Sequence, residues 1–179
     1  MSYFVFVDNS NVWIEGKYYS AVHKGNVDSI YNAHALSIQD NSWAIDFGKL
    51  LNEVTNSHVP DIKNAILFGS KPTNKDSLWN AMKKAGFTVH NIQRNVANKE
   101  KKVDTGIVAE ILKVLYTEAT AGDTFILVMG DSDFVPVMNQ ITDYGVKAVV
   151  AFWDNVSGEL KSTADEFISL NNVIDKITY

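Results

Sequence analysis

The sequence predicts an α/β sandwich, with a central, mostly parallel five-stranded sheet covered by helices on both faces. Five short β-like runs are spread along the chain, and segments of helical period separate them. The first, fourth and fifth runs are almost continuously apolar, as strands buried on both faces are. Strands alternating with helices of this length build right-handed βαβ units and a parallel sheet.

The runs are Tyr3–Val7, Asn64–Phe68, Phe87–Ile92, Thr124–Met129 and Val146–Phe152. A helix is expected over about 45–54, where Phe47, Leu50, Leu51 and Val54 share a face. A second covers about 75–85, and its stripe of Leu78, Trp79 and Met82 suits a core rather than a cofactor contact. A third spans about 103–119, and a fourth about 134–144, ended by Gly145 in the position of a C-terminal glycine cap. From Lys17 to Ser42 the chain is polar with no sustained period, which predicts either local helix or a mobile lid.

The length of 179 residues fits one domain, 1–179. Hydrophobic residues make up 46% and charged residues 21%, which excludes extended disorder. No apolar run approaches the roughly 20 residues of a membrane helix, and Phe4–Val7 lacks the flanks of a signal peptide. Without cysteine there are no disulfides or thiolate metal sites, and the cytoplasm is the expected setting. The net charge of −5 argues against a generic nucleic-acid coat. Arg94, Lys99, Lys101 and Lys102 against Glu100 nevertheless give one segment a local +3, leaving −8 for the rest.

In open parallel sheets ligands bind at the carboxyl ends of the strands, near the point where strand order reverses. The first strand ends in Asp8, the fourth in Gly130-Asp131-Ser132-Asp133 and the fifth in Trp153-Asp154. The second and third lead into Ser70-Lys71 and Gln93-Arg94. One rim would therefore carry acids from three strands and bases from two. Asp104 adds an acid four residues before Val108, on the stripe of Val108, Ile111 and Leu115. It equally suits charge stabilisation of a helix N-terminus, and one of Asp131, Ser132 and Asp133 is expected to cap the helix containing Pro136. Asp8 has no capping role that would require an acid so deep in an apolar run. Carboxylates brought together repel unless a cation compensates, and all-oxygen ligands favour Mg²⁺ or Mn²⁺ over zinc. His23, His34, His58 and His90 lie in unrelated segments without ligand spacing.

Asp8-Asn9-Ser10-Asn11 after a strand, Lys102-Val103-Asp104 opening a helix, and Met129-Gly130-Asp131-Ser132-Asp133-Phe134 after another strand occur in that order. Together they resemble the NYN domain family, LabA-like proteins of the PIN-like nuclease superfamily. Gly145–Val149 and the closing Leu160 and Ala164–Phe167 look like that family's final strand and helix. The likeness covers the chain except about 17–44, which stands as a polar insertion. Asn9 departs from the glycine many relatives carry, and Met129 from a common serine. The resemblance implies a PIN-like sandwich whose acids Asp8, Asp104, Asp131 and Asp133 hold Mg²⁺ or Mn²⁺ and cut RNA, with Asn11 beside them.

The expected activity is hydrolysis of single-stranded RNA by metal-activated water. Ser132, Lys71, Arg94, Lys99, Lys101 and Lys102 are the expected substrate contacts, Asp154 a candidate outer acid, and Trp153 a packed side chain. A homo-oligomer is one open state of assembly. The rival reading is an RNA-binding or scaffolding module that keeps the metal rim without turnover. A haloacid-dehalogenase-type phosphatase needs a second acid where Ser10 stands, and an adhesion-type metal site needs serine at Val12. Phosphate-binding Gly-x-x-x-x-Gly-Lys and dinucleotide-binding Gly-x-Gly-x-x-Gly loops are both absent.

Overall fold

The computed structural model describes residues 1–69, 76–91 and 101–179. Among these, β1 (Tyr3–Asp8), β2 (Ile62–Gly69), β3 (Thr88–Asn91), β4 (Thr124–Val128), β5 (Lys147–Phe152) and β6 (Glu166–Ser169) form one sheet in the order β3-β2-β1-β4-β5-β6. Every pairing is parallel. The sheet has one strand more than the sequence predicts. Glu166–Ser169, part of which the family likeness suggested as a closing helix, pairs with β5 instead, Phe167 lying opposite Val150. The residues before it form only a short helix, α7 (Gly158–Thr163).

The chain leaves β1 toward β2 and β3, then crosses back to β4 on the other side. The order of strands reverses between β1 and β4, and the crevice at their carboxyl ends is where such sheets bind ligands. The remaining helices are α1 (Asn9–His23), α2 (Ile30–Ala35), α3 (Phe47–Val54), α4 (Asp76–Lys84), α5 (Lys101–Thr117), α6 (Val135–Asp143) and α8 (Ile174–Ile177). Helix α1 packs on α2 and α3 on α8, whereas α6 packs on both α5 and α7. Right-handed crossovers produce this separation, since connections on either side of β1 then lie on opposite faces.

The centre of the sheet is dry. Phe4, Val5, Phe6 and Val7 of β1 and Phe125, Leu127 and Val128 of β4 are fully buried. The Phe125 ring lies 4.9 Å from that of Phe4 and 5.2 Å from that of Phe6. Burying side chains of this size stabilises by about 1.5–3 kcal/mol each, which holds the two strands that carry the rim in fixed register.

Of the two expectations for the polar segment, local helix is the one that forms. Helix α1 continues to His23, and Ser29 caps α2 by accepting the Asn32 N–H. The segment closes on Trp43, whose ring lies so near Gly16 that a Cβ there would stand 2.3 Å from it. Trp43 donates to Thr178 Oγ1 at 2.9 Å, tying the segment to the carboxyl-terminal strap.

Candidate functional site

Asp8 is the last residue of β1 and lies opposite Phe68 of β2. Its backbone is extended, and its Oδ1 accepts the N–H groups of Ser10 at 3.1 Å and Asn11 at 3.3 Å. The acid is therefore the N-cap of α1, contrary to the expectation that it had no capping role. A strand that passes directly into a helix needs an acceptor at the junction for the first free N–H groups, and Asp is among the best.

Asp131 follows β4 and opens a 3₁₀ turn, Ser132–Phe134, that leads into α6. The expected cap is not made here. Neither this turn nor α6 receives a side-chain capping bond, and Pro136 in the first turn of α6 removes one of the donors that would need it. Asp131, Ser132 and Asp133 are all exposed. Gly130 fixes where the turn begins, because a Cβ there would meet the Phe152 ring at 2.2 Å. Its carbonyl accepts the Ser157 N–H at 2.8 Å.

Asp104 lies inside the first turn of α5, which begins at Lys101, so it is not a cap either. It precedes buried Ile107 by three residues and Ile111 by seven, on the inward stripe, and is itself half-buried. The helix dipole favours a carboxylate there.

The three elements bring these charges together. Asp8 is 7% exposed, and burial raises its pKa to about 6, against two N–H bonds that lower it. The neighbouring carboxylates of Asp104 and Asp131 contribute to that rise, less than burial does. Asn11, in the first turn of α1, donates from Nδ2 to Asp131 Oδ2 at 2.7 Å and so bridges the ends of β1 and β4. Asp133 stands two residues beyond Asp131, and the charges acting most strongly on Asp8 are those of Asp104 and Asp131.

The donor set is all oxygen and anionic, the chemistry of a hard divalent cation. A carboxylate whose charge is disfavoured first by burial and then by two like-charged neighbours is also the electrostatic setting that a cation relieves. Among the described residues, no three His, Asp or Glu side chains converge closely enough to hold a metal ion as they stand. Like charges favour separation, and one divalent ion offsets two carboxylates.

The other expected site residues divide. Lys71, Arg94 and Lys99 lie outside the described residues, as do the side chains of Lys101 and Lys102 that open α5. Asp154 accepts the Ser169 hydroxyl while its N–H bonds Asn171, which ties the end of β5 to the segment after β6. Trp153 is fully buried, donating to the Val12 carbonyl at 3.0 Å and stacking on Tyr19. His23, His34 and His58 pair with separate acids, Asp175, Glu15 and Asp61. No helix among the described residues is long and apolar enough to cross a membrane.

The family model of the NYN domain matches residues 4–171. No curated protein matches the chain at a significant level. A crystal structure of a protein of unknown function from Vibrio parahaemolyticus RIMD 2210633 is similar over 99% of this chain and 96% of that one, with 19% identity and a TM-score of 0.71. At that identity the likeness concerns the fold alone.

Proposed function

Because the chain belongs to the NYN domain family, within the PIN-like nucleases, we propose that it is a Mg²⁺- or Mn²⁺-dependent endoribonuclease acting on single-stranded RNA. The observation that carries this reading is Asp8: a buried carboxyl at the strand-order switch, with a pKa pushed up to about 6 and Asp104 and Asp131 beside it. A structural N-cap does not need that crowding.

Asp8, Asp104, Asp131 and Asp133 would hold the ion. When bound, it supplies Lewis acidity, activating water and offsetting charge on the scissile phosphate. Asn11 is a positioning residue. Its amide holds one oxygen of Asp131 and so restricts how that carboxylate turns, while its backbone N–H helps to hold Asp8. Ser132 is exposed between Asp131 and Asp133 in the chain, and its hydroxyl would donate to a phosphate oxygen.

Lys71, Arg94, Lys99, Lys101 and Lys102 track the strand away from the acids. The strand order supports this for Lys71 and Arg94, which follow β2 and β3 in the chain, on the other side of β1 from β4 and β5. Lys101 and Lys102 instead open the helix that carries Asp104. The family frame is read as one domain over 1–179, with about 17–44 added to it.

The test is cleavage of a labelled single-stranded RNA with Mn²⁺, comparing wild type with Asp104→Asn. Metal-dependent cleavage that the variant loses supports the nuclease. A wild type that binds the strand and leaves it intact is the RNA-binding module instead.

A further inference from the structure

Helix α1 carries two large apolar side chains that do not join the core. Trp13 is 38% exposed and Ile14 43% exposed, next to each other and two to three residues beyond Asn11. The other aromatics of this helix are occupied: Tyr19 is buried against Trp153, and Tyr18 lies 4.1 Å from the His34 ring. Lys17 follows Trp13 by one turn, its Nζ 3.8 Å from the centre of the Trp13 ring and 3.3 Å from Asn41 Oδ1. A single exposed apolar residue calls for no explanation. An exposed tryptophan with a second apolar neighbour and a cation over its ring, on the helix that starts at the acid rim, is a different case.

The acid rim presents a specific difficulty to a polyanionic strand. Asp8, Asp104, Asp131 and Asp133 repel phosphates wherever a cation does not offset them, and the chain as a whole carries −5. An anchor beside these acids therefore has to attract a nucleotide through something other than its phosphate. Stacking on a base does so, and it tolerates any sequence because every base has a π-face.

We propose that Trp13 is a stacking platform for a base of single-stranded nucleic acid, with Lys17 meeting the adjoining phosphate. The inference deepens the nuclease reading by naming a substrate contact and rests on it for the class of ligand. It also gives the strand a fixed point about half a turn of α1 beyond Asn11.

The experiment uses the full chain and two fluorescein-labelled strands, a decauridine and an abasic strand of equal length, measured by fluorescence anisotropy with Ca²⁺ in place of Mg²⁺. Trp13→Ala is expected to weaken decauridine binding roughly 5- to 150-fold, the range of one lost base stack. The slope of log affinity against log salt stays unchanged, because stacking releases no counterions. Binding of the abasic strand is unaffected, and Trp13→Phe recovers most of the loss. Lys17→Ala instead flattens the salt slope by about 0.7. Equal decauridine binding by wild type and Trp13→Ala overturns the proposal, as does an equal loss on the abasic strand. A cleavage assay with Mn²⁺ separates the two readings. Wild type that cleaves while Trp13→Ala binds normally refutes the platform alone. Wild type that stacks the base as described but never cleaves refutes the nuclease alone.

Discussion

Asp8 and Asp40 are equally covered, each 7% exposed, and their surroundings treat them in opposite ways. Asp8 lies deep at the end of β1. Burial first, and two like charges after it, raise its pKa to about 6. Asp40 lies shallow, in the polar segment after α1, covered by the side chains that bind it. Burial also raises its pKa, but Lys24 Nζ at 2.6 Å, the Ser42 hydroxyl at 2.6 Å, Ser20 at 2.7 Å and the Ser42 N–H at 3.0 Å together hold it well below the usual carboxylate range. Two aspartates that accessibility alone cannot tell apart are thus separated by their partners. One is satisfied within the chain, and the other is left with an unfavourable charge that an outside cation would stabilise.

The largest effect separates the two by activity. Asp8→Asn should reduce Mn²⁺-dependent RNA cleavage by at least about a hundredfold, since the charge stabilisation a catalytic ion supplies amounts to several kcal/mol. Asparagine still accepts the Ser10 and Asn11 N–H groups, so the cap and the fold persist. Asp40→Ala should leave the cleavage rate of the folded protein unchanged. A folded Asp8→Asn protein that cleaves like wild type would break the comparison, and rates in both variants at a temperature well below melting decide it.

The second effect is one of sign with pH. Asp8 has a native pKa of about 6, above the ordinary 3.8. Between pH 4 and 6 the native state therefore holds a proton that the unfolded chain releases, and this group's contribution to stability falls as pH rises, by up to about 3 kcal/mol. Asp40 works the other way. Its pKa is depressed on folding, so its contribution is present above the ordinary carboxylate value and is lost as pH falls below it. Asp123, held by the Ser2 and Thr120 N–H groups, adds to the acid limb. Urea unfolding between pH 4 and 7 should show a falling component that Asp8→Asn abolishes and Asp40→Ala keeps. A wild type whose stability climbs through that window with the same slope as Asp8→Asn would remove the case for a strained buried acid.

How much of this was legible in the sequence depends on whether a signal is local. Asp8, Asp131 and Asp154 stand directly after apolar runs, so their place on one rim follows from the parallel sheet. Their different fates do not. Asp154 turns to Ser169, a bond across strands that no spacing announces. Asp8 takes the capping role expected near Pro136, because the strand passes into α1 without a loop, whereas a 3₁₀ turn eases the chain from β4 into α6. Strand β6 was missed because Glu166-Phe167-Ile168-Ser169 is short, begins with an acid and lies at the sheet edge, where burial on both faces is not required. Helix α2 falls within the segment where local helix was one of two expectations, and its bounds were not legible because six residues with only Ile30 and Ala33 turned to the core show no sustained period.

Asp40→Ala should itself cost about 1–3 kcal/mol, because it strips the buried Ser20 hydroxyl of its acceptor. For a domain of this size that lowers Tm by about 2–12 °C, readable by circular dichroism. An unchanged Tm would mean that the polar segment is not anchored through this residue.

The smallest effect is the response to metal, and it places the cation on one aspartate and not the other. An ion that binds only the native state stabilises it by RT ln(1 + [L]/Kd), about 1.4 kcal/mol at ten times Kd, or a Tm increase of about 3–6 °C. Wild type should show this with millimolar Mn²⁺ or Mg²⁺ at pH 7.5, where Asp8 is ionised. The increase should shrink in Asp131→Asn/Asp133→Asn, which removes two of the proposed ligands while leaving the Asp8 cap in place. Asp40→Ala should keep the full increase from its lower starting Tm, since Lys24 already occupies the place a cation would take at Asp40. The response should also weaken from pH 7.5 to pH 5, because protons then compete for Asp8. A metal increase that is the same in all three proteins and indifferent to pH would come from weak binding elsewhere on an acidic surface, and the rim would lose its claim to the ion.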